Sequence, residues 1–173
     1  MTPRAGDLIV NRWGARFLGR AFPCSVGRGG IVQRKVEGDG GTPTGAFRLM
    51  GAGYRADRIT RPWPGRGVMH VRPIGPSDIW SDDPKDPRYN QPGAGRDYPF
   101  SHEVLRRADR MYDLFIITDH NWPNATPGEG SAIFVHVWKR PRRPTAGCVA
   151  FDRRDLLWIL RRWRPQSRLI IQG

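Results

Sequence analysis

The chain has 173 residues, 38% of them apolar, with Gly 21 and Pro 16; this is enough for one domain with a real core, and too turn-rich for a helical bundle. No run of about 18 apolar residues occurs, which excludes a membrane-spanning helix. The formal net charge of +13 raises an anionic-polymer partner, but only Lys35, Lys85 and Lys139 are lysines and the arginines scatter from Arg4 to Arg168 without forming a stripe, so nucleic acid is not expected.

The N-terminal "MTPRAGDLIVNRWGARFLGRAF" lacks the roughly 7–15 consecutive apolar residues of a signal peptide, because Arg12, Arg16 and Arg20 interrupt it. With Met1 as the native start, the expected location is the cytoplasm; a trimmed chain leaves the periplasm open. "DLIV" (Asp7–Val10) and "ARFLG" (Ala15–Gly19) read as strands joined by a tight turn at "NRWG". The glycines from Gly27 to Gly45 read as turns between strands of a β-layer, since no Gly-Lys-Ser/Thr pattern follows to make a phosphate cradle. Residues 61–100 are rich in Pro, Gly and Asp, yet carry Trp80, Tyr89 and Tyr98. So many aromatics argue for an ordered, loop-rich insertion beside a functional site. Within it, Asp82, Asp83 and Asp86 lack the spacing of a calcium loop and read as turn caps.

"SHEVLRRADRMY" (Ser101–Tyr112) predicts a short helix with Ser101 as N-cap. "YDLFIIT" (Tyr112–Thr118) and "SAIFVHV" (Ser131–Val137) are the strongest strands, dense in β-branched and aromatic residues. "DRRDLLWILRRW" (Asp152–Trp163) is the one clear helix, with Asp152 as N-cap and Pro165 as its stop. "RLIIQ" closes the chain as a strand. The overall expectation is a mainly β domain spanning residues 1–173, a sandwich or barrel with one C-terminal helix.

Strand alternation in "FVHV" puts His136 on the face of Phe134, opposite Val135 and Val137. Twelve residues on, Cys148 follows Gly147, across the proline-interrupted loop "WKRPRRPTA" that can return it beside the histidine. A thiol beside an imidazole can give up its proton and become a nucleophile. Gly147 would admit a substrate carbonyl, and Arg140, Arg142 and Arg143 would favour the thiolate by their charge. On spacing alone the other reading stays open: a core histidine and a buried, inert thiol within an anionic-polymer or nucleic-acid binding module. Cys24 and Cys148 could form one disulfide, which a cytoplasmic setting disfavours, and the Cys and His spacings hold no metal pattern. No cofactor is called for.

"IFVHV…PTAGCVAF" resembles the signature of the L,D-transpeptidase catalytic domain family (YkuD-like), a histidine followed by Ser/Thr-x-Gly-Cys. "GRGGIVQRKVEGDGGTPTGAFRL", from Gly27 to Leu49, is similar to the family's glycine-rich segment; "DIWSDDPKDPRYNQP" and "HEVLRRADRMYDLFIITDHN" resemble a small single-domain branch. The resemblance implies a cysteine acyl-transfer enzyme acting on peptidoglycan stem tetrapeptides. Cys148 would be the nucleophile and His136 the base, oriented by a backbone carbonyl. Amides of Gly147 and Cys148 would form the oxyanion hole, with Thr145 in the Ser/Thr position. His70, Arg107, Asp109, Tyr112 and Asn121 are its candidates for holding substrate. Many members carry His and Arg or Asn where this chain has Ala146 and Ala150, so those two roles are not carried over.

Overall fold

The computed structural model describes residues 2–62 and 70–173; residues 63–69, part of the expected insertion, lie outside that description. Two open sheets enclose the main core. One runs in the order Arg20–Phe22, Gly14–Phe17, Leu8–Asn11, Leu169–Ile171, Gly45–Phe47, so the last strand of the chain lies parallel to the first, Leu8 opposite Leu169. The other runs Cys24–Ser25, Val149–Phe151, Phe134–Val137, Leu114–Thr118, Leu49–Tyr54, Val71–Pro73. Among the described residues neither sheet closes into a barrel.

Alternation builds the core. Leu8, Val10, Ala15, Phe17, Leu169 and Ile171 of the first sheet meet Ala52, Leu114, Ile116, Val135, Val137 and Val149 of the second. The helix, Arg153–Arg162, adds Leu156, Ile159 and Leu160 to that cluster, and Trp163 just beyond its end joins them. The Asp152 carboxylate accepts the Arg154 amide at 2.8 Å, and Asp155 at the start with Arg161 and Arg162 at the end complement the helix dipole. Each fully buried leucine there contributes roughly 1.5–3 kcal/mol.

The expected helix over 101–112 does not form. His102–Val104 is a strand paired antiparallel to Asp78–Ser81, with Trp80 opposite Glu103, and Leu105 N donates to the Asp78 carbonyl at 3.0 Å. Cross-strand pairing and the full burial of Leu105 outweigh a helix propensity spread over residues with no continuous apolar face. Asp78–Ser81 and Pro92–Ala94 of the insertion, with His102–Val104 just after it, make a three-stranded sheet. Its Trp80 packs edge-on against Phe134, with ring centroids 5.0 Å apart. That contact sets the insertion against the face of the Phe134–Val137 strand that carries Phe134 and His136.

The glycine-rich segment does more than turn. Its backbone lies directly against the loop before Cys148: Arg28 N donates to Thr145 O, Gly27 N to Thr42 Oγ1, and Thr42 Oγ1 to Gly147 O at 2.8 Å. A Cβ on Gly27 would fall 2.1 Å from the Gly40 carbonyl oxygen and 3.1 Å from the Gly147 Cα. Only a bare Cα fits between them.

Candidate active site

Cys148 and His136 come together through strand register. Phe134–Val137 and Val149–Phe151 run parallel, with Val135 opposite Val149 and His136 opposite Ala150. Val135, Val137, Val149 and Phe151 go into the main core, while Phe134 and Cys148 belong to a second cluster with Ile74, Trp80, Leu105, Tyr112 and Phe115. His136 and Cys148 are therefore diagonal neighbours on one face of the sheet. Both line a cavity of about 100 Å³.

Hydrogen bonds fix the chemical state of each group. His136 Nδ1 lies 2.8 Å from the Val137 carbonyl oxygen. A carbonyl only accepts, so Nδ1 carries the proton and Nε2 is left with its lone pair. The Cys148 thiol donates to the Ala132 carbonyl at 3.1 Å, and its sulfur accepts the Phe134 amide at 3.4 Å. Burial carries the imidazole down to about 4, with the Arg107 charge adding to it and the Val137 bond opposing it. Burial likewise pushes the thiol up to about 12; the Glu103 charge adds, while the Phe134 amide, the Lys35 charge and the residue's own amide oppose. The pair at rest is a neutral thiol beside a neutral imidazole, not a thiolate–imidazolium pair.

The positive potential comes from an unexpected place. Arg140, Arg142 and Arg143 do not line the Cys148 cavity, and the charges that weigh most on its thiol are Glu103 and Lys35; Arg142 acts on Cys24, itself buried and pushed up to about 12. The cation in the cavity wall is Lys35, 8% exposed, held by the Val36 carbonyl at 2.9 Å and by the Asp39 carboxylate. Both cysteines are free thiols.

The remaining lining divides by charge. Glu37, Asp82 and Glu103 face the Cys148 cavity. Burial raises the Glu103 and Asp82 carboxyls, and each is raised further by a neighbouring carboxylate, Asp82 for Glu103 and Glu37 for Asp82. Among the described residues Asp82 Oδ1 is buried with no hydrogen-bond partner. A second groove of about 350 Å³ opens on the other side of His136 and holds Arg28, Lys139 and Arg143. Met111, His136, Thr145 and Ala146 line both spaces. The site is acidic on one side of the imidazole and basic on the other.

The residues singled out from the sequence fall in different places. Thr145 does sit at the cavity, where its hydroxyl donates to the Cys148 carbonyl at 2.6 Å and accepts the Gly147 amide at 3.1 Å. That second bond engages the Gly147 N–H, so of the two expected oxyanion donors the Cys148 amide is the one left beside the sulfur. Tyr112 lines the cavity, its ring edge-on to His136 at 5.4 Å and its hydroxyl 3.4 Å from Glu103. Arg107 and Asp109 do not line it; they neutralise each other through two bonds of 3.0 and 2.9 Å. Asn121 is a loop clamp, donating to the Thr126 and Gly130 carbonyls, and His70 is exposed at the sheet margin away from the cavity.

Sequence reasoning missed Lys35, Glu37, Asp82 and Glu103. Lys35 and Glu37 were legible as part of the "KVEGDG" segment but had no assigned partner. Asp82 reads in the sequence as a turn cap, and Glu103 falls within the segment whose pattern predicts a helix but which forms the strand His102–Val104.

The model of the L,D-transpeptidase catalytic domain, YkuD, matches residues 12–171. No curated protein and no solved structure matches.

Proposed function

The chain belongs to the L,D-transpeptidase catalytic domain family, and from that membership we propose that it is a cysteine acyltransferase acting on peptidoglycan stem tetrapeptides. Cys148 attacks the carbonyl that joins the L-centre of the diamino acid to terminal D-Ala. His136 Nε2 takes the thiol proton as the carbon–sulfur bond forms, and returns it to the departing D-Ala nitrogen. The product is a thioester on Cys148. An incoming amine resolves it to a cross-link, and water resolves it to a tripeptide, which is L,D-carboxypeptidase activity; a cytoplasmic setting favours water.

The reading is carried by one observation: a cysteine and a histidine whose Nδ1 proton is fixed share one cavity from adjacent parallel strands. Because the resting pair is neutral, proton transfer accompanies attack instead of preceding it. The developing oxyanion takes the Cys148 amide, and Thr145 holds the carbonyl of the same residue in place. The charge division supports a substrate with both signs. The Glu37, Asp82 and Glu103 side suits the ammonium of a diamino acid, and the Arg28, Lys139 and Arg143 side suits the carboxylate of D-Ala.

The test is release of D-Ala from a disaccharide-free tetrapeptide, followed with and without an added amino acid as acceptor. Release that requires Cys148 supports the reading, and the acceptor's appearance in product separates transfer from hydrolysis. No release, together with no carbapenem adduct on Cys148, overturns it.

A further inference from the structure

Asn90 comes from the insertion, far in sequence from either reactive side chain, yet it is 1% exposed and every polar atom of its amide is used. Its Oδ1 accepts Trp80 Nε1 at 2.8 Å and the Ala132 amide at 3.0 Å. Its Nδ2 donates to the Asn121 carbonyl at 2.5 Å and, more weakly, toward the His120 carbonyl at 3.4 Å. Its own amide donates to the Ser81 carbonyl at 3.0 Å. One side chain thus ties the insertion sheet to the segment that enters the His136 strand.

The residue it holds is strained. Ala132 has φ 47°, and Asn90 itself φ 57°. An alanine in this left-handed region costs about 1–2 kcal/mol against its ordinary conformations, so something must enforce it. The side-chain bond made by its amide is the one to Asn90 Oδ1. The consequence reaches the sulfur, because the carbonyl of Ala132 accepts the Cys148 thiol proton and the amide two residues later, at Phe134, donates to Sγ. Were Ala132 to relax, its carbonyl would swing away and the Phe134 amide would shift with it.

We infer that Asn90 is a positioning residue for Cys148: by pinning Ala132 in the left-handed conformation it aims the two backbone groups that hold and orient the thiol. The titratable and charged groups that share the cavity with that sulfur are His136, Tyr112, Glu103, Lys35, Glu37 and Asp82; Asn90 hydrogen-bonds to none of them and reaches the sulfur through the backbone. The inference rests on Cys148 being the reactive thiol, as proposed above, but it concerns the sulfur's setting and not the substrate.

The experiment measures the second-order rate of iodoacetamide alkylation at Cys148 in the full chain, mapped by mass spectrometry so that Cys24 is counted separately. Asn90→Gly removes the amide while suiting φ 57°. It should slow alkylation about tenfold from pH 7 to 9, the factor that one hydrogen bond to a developing thiolate commands. Ala132→Gly should change the rate little in the parent chain, yet recover a large part of it in the Asn90→Gly background, since glycine re-enters the left-handed region at no cost. A merely structural Asn90 would show no such rescue. Unchanged alkylation in Asn90→Gly, or equal effects of Ala132→Gly in both backgrounds, overturns the inference. If Asn90→Gly does not melt cooperatively, Ala132→Val, which penalises the left-handed conformation with Asn90 intact, serves instead: slower alkylation supports the inference and an unchanged rate refutes it. Alkylation that depends on Asn90 in a chain that releases no D-Ala would leave this inference standing and sink the proposed reaction alone.

Discussion

His136 should make the fold acid-sensitive in a window where carboxylates do not. Its folded-state value lies near 4 against an ordinary 6.5, chiefly because the ring is buried. Between those two values the unfolded chain binds a proton that the folded chain refuses, so the contribution to stability is full above 6.5 and is lost as pH falls toward 4. Each pH unit in that window is worth about 1.4 kcal/mol, which makes the loss between pH 7 and 4.5 about 2.5 kcal/mol. The perturbation is His136→Asn, which removes the titration and keeps, at the position of Nδ1, an amide nitrogen able to donate to the Val137 carbonyl. Urea unfolding at pH 7 and 4.5 measures it as a difference between parent and variant. Terms common to both chains cancel. Those include the carboxyls of Asp7, Asp39, Asp86 and Asp109, held low by their hydrogen-bonding and charged partners and lost only at lower pH. They also include Asp82 and Glu103, whose raised carboxyls work with the opposite sign. The parent should lose about 2.5 kcal/mol more than the variant. Equal losses would mean that the folded site accepts an imidazolium, and the neutral resting pair would be wrong.

Other outcomes follow from the same contacts. Glu103→Gln and Glu37→Gln should each lower kcat/KM about tenfold for a tetrapeptide with a free side-chain ammonium, and barely at all when that amine is acetylated; steady-state kinetics on the two peptides decide it. Thr145→Val leaves the Cys148 carbonyl and the Gly147 amide without a partner, so it should cost about 1–3 kcal/mol in urea unfolding and slow turnover as well. Gly27→Ala drives a methyl into the Gly40 carbonyl and the Gly147 backbone; a loss of about 3 kcal/mol is expected in the same assay, with the Cys148 loop displaced.

Legibility tracked how local each determinant is. The helix was readable because Asp152, the apolar spacing of Leu156, Ile159 and Leu160, and the arginines at its end all lie within a dozen residues. The face of His136 was readable because alternation along "FVHV" is a property of four residues. Residues 101–112 misled because their helix formers are local while the strand pairing of His102–Val104 with Asp78–Ser81 is not. The acidic wall was hidden for the same reason: Glu37, Asp82 and Glu103 are brought to one cavity from three separate segments. The thiol's electrostatics were misjudged because the basic loop is near Cys148 in sequence, whereas Lys35, more than a hundred residues away, is the cation in the cavity wall. Asn90 left no trace in the sequence at all, since its function lies in hydrogen bonds to Trp80, Asn121 and Ala132.

The acyl-enzyme itself is the most direct object to look for. A tetrapeptide mixed with the protein, quenched in acid within seconds and weighed intact, should give a tripeptidyl adduct that maps to Cys148, is removed by hydroxylamine and is missing from Cys148→Ala and greatly reduced in His136→Gln. D-Ala released at the parent rate by Cys148→Ala, or an adduct that maps elsewhere, would take the thioester away from this cysteine.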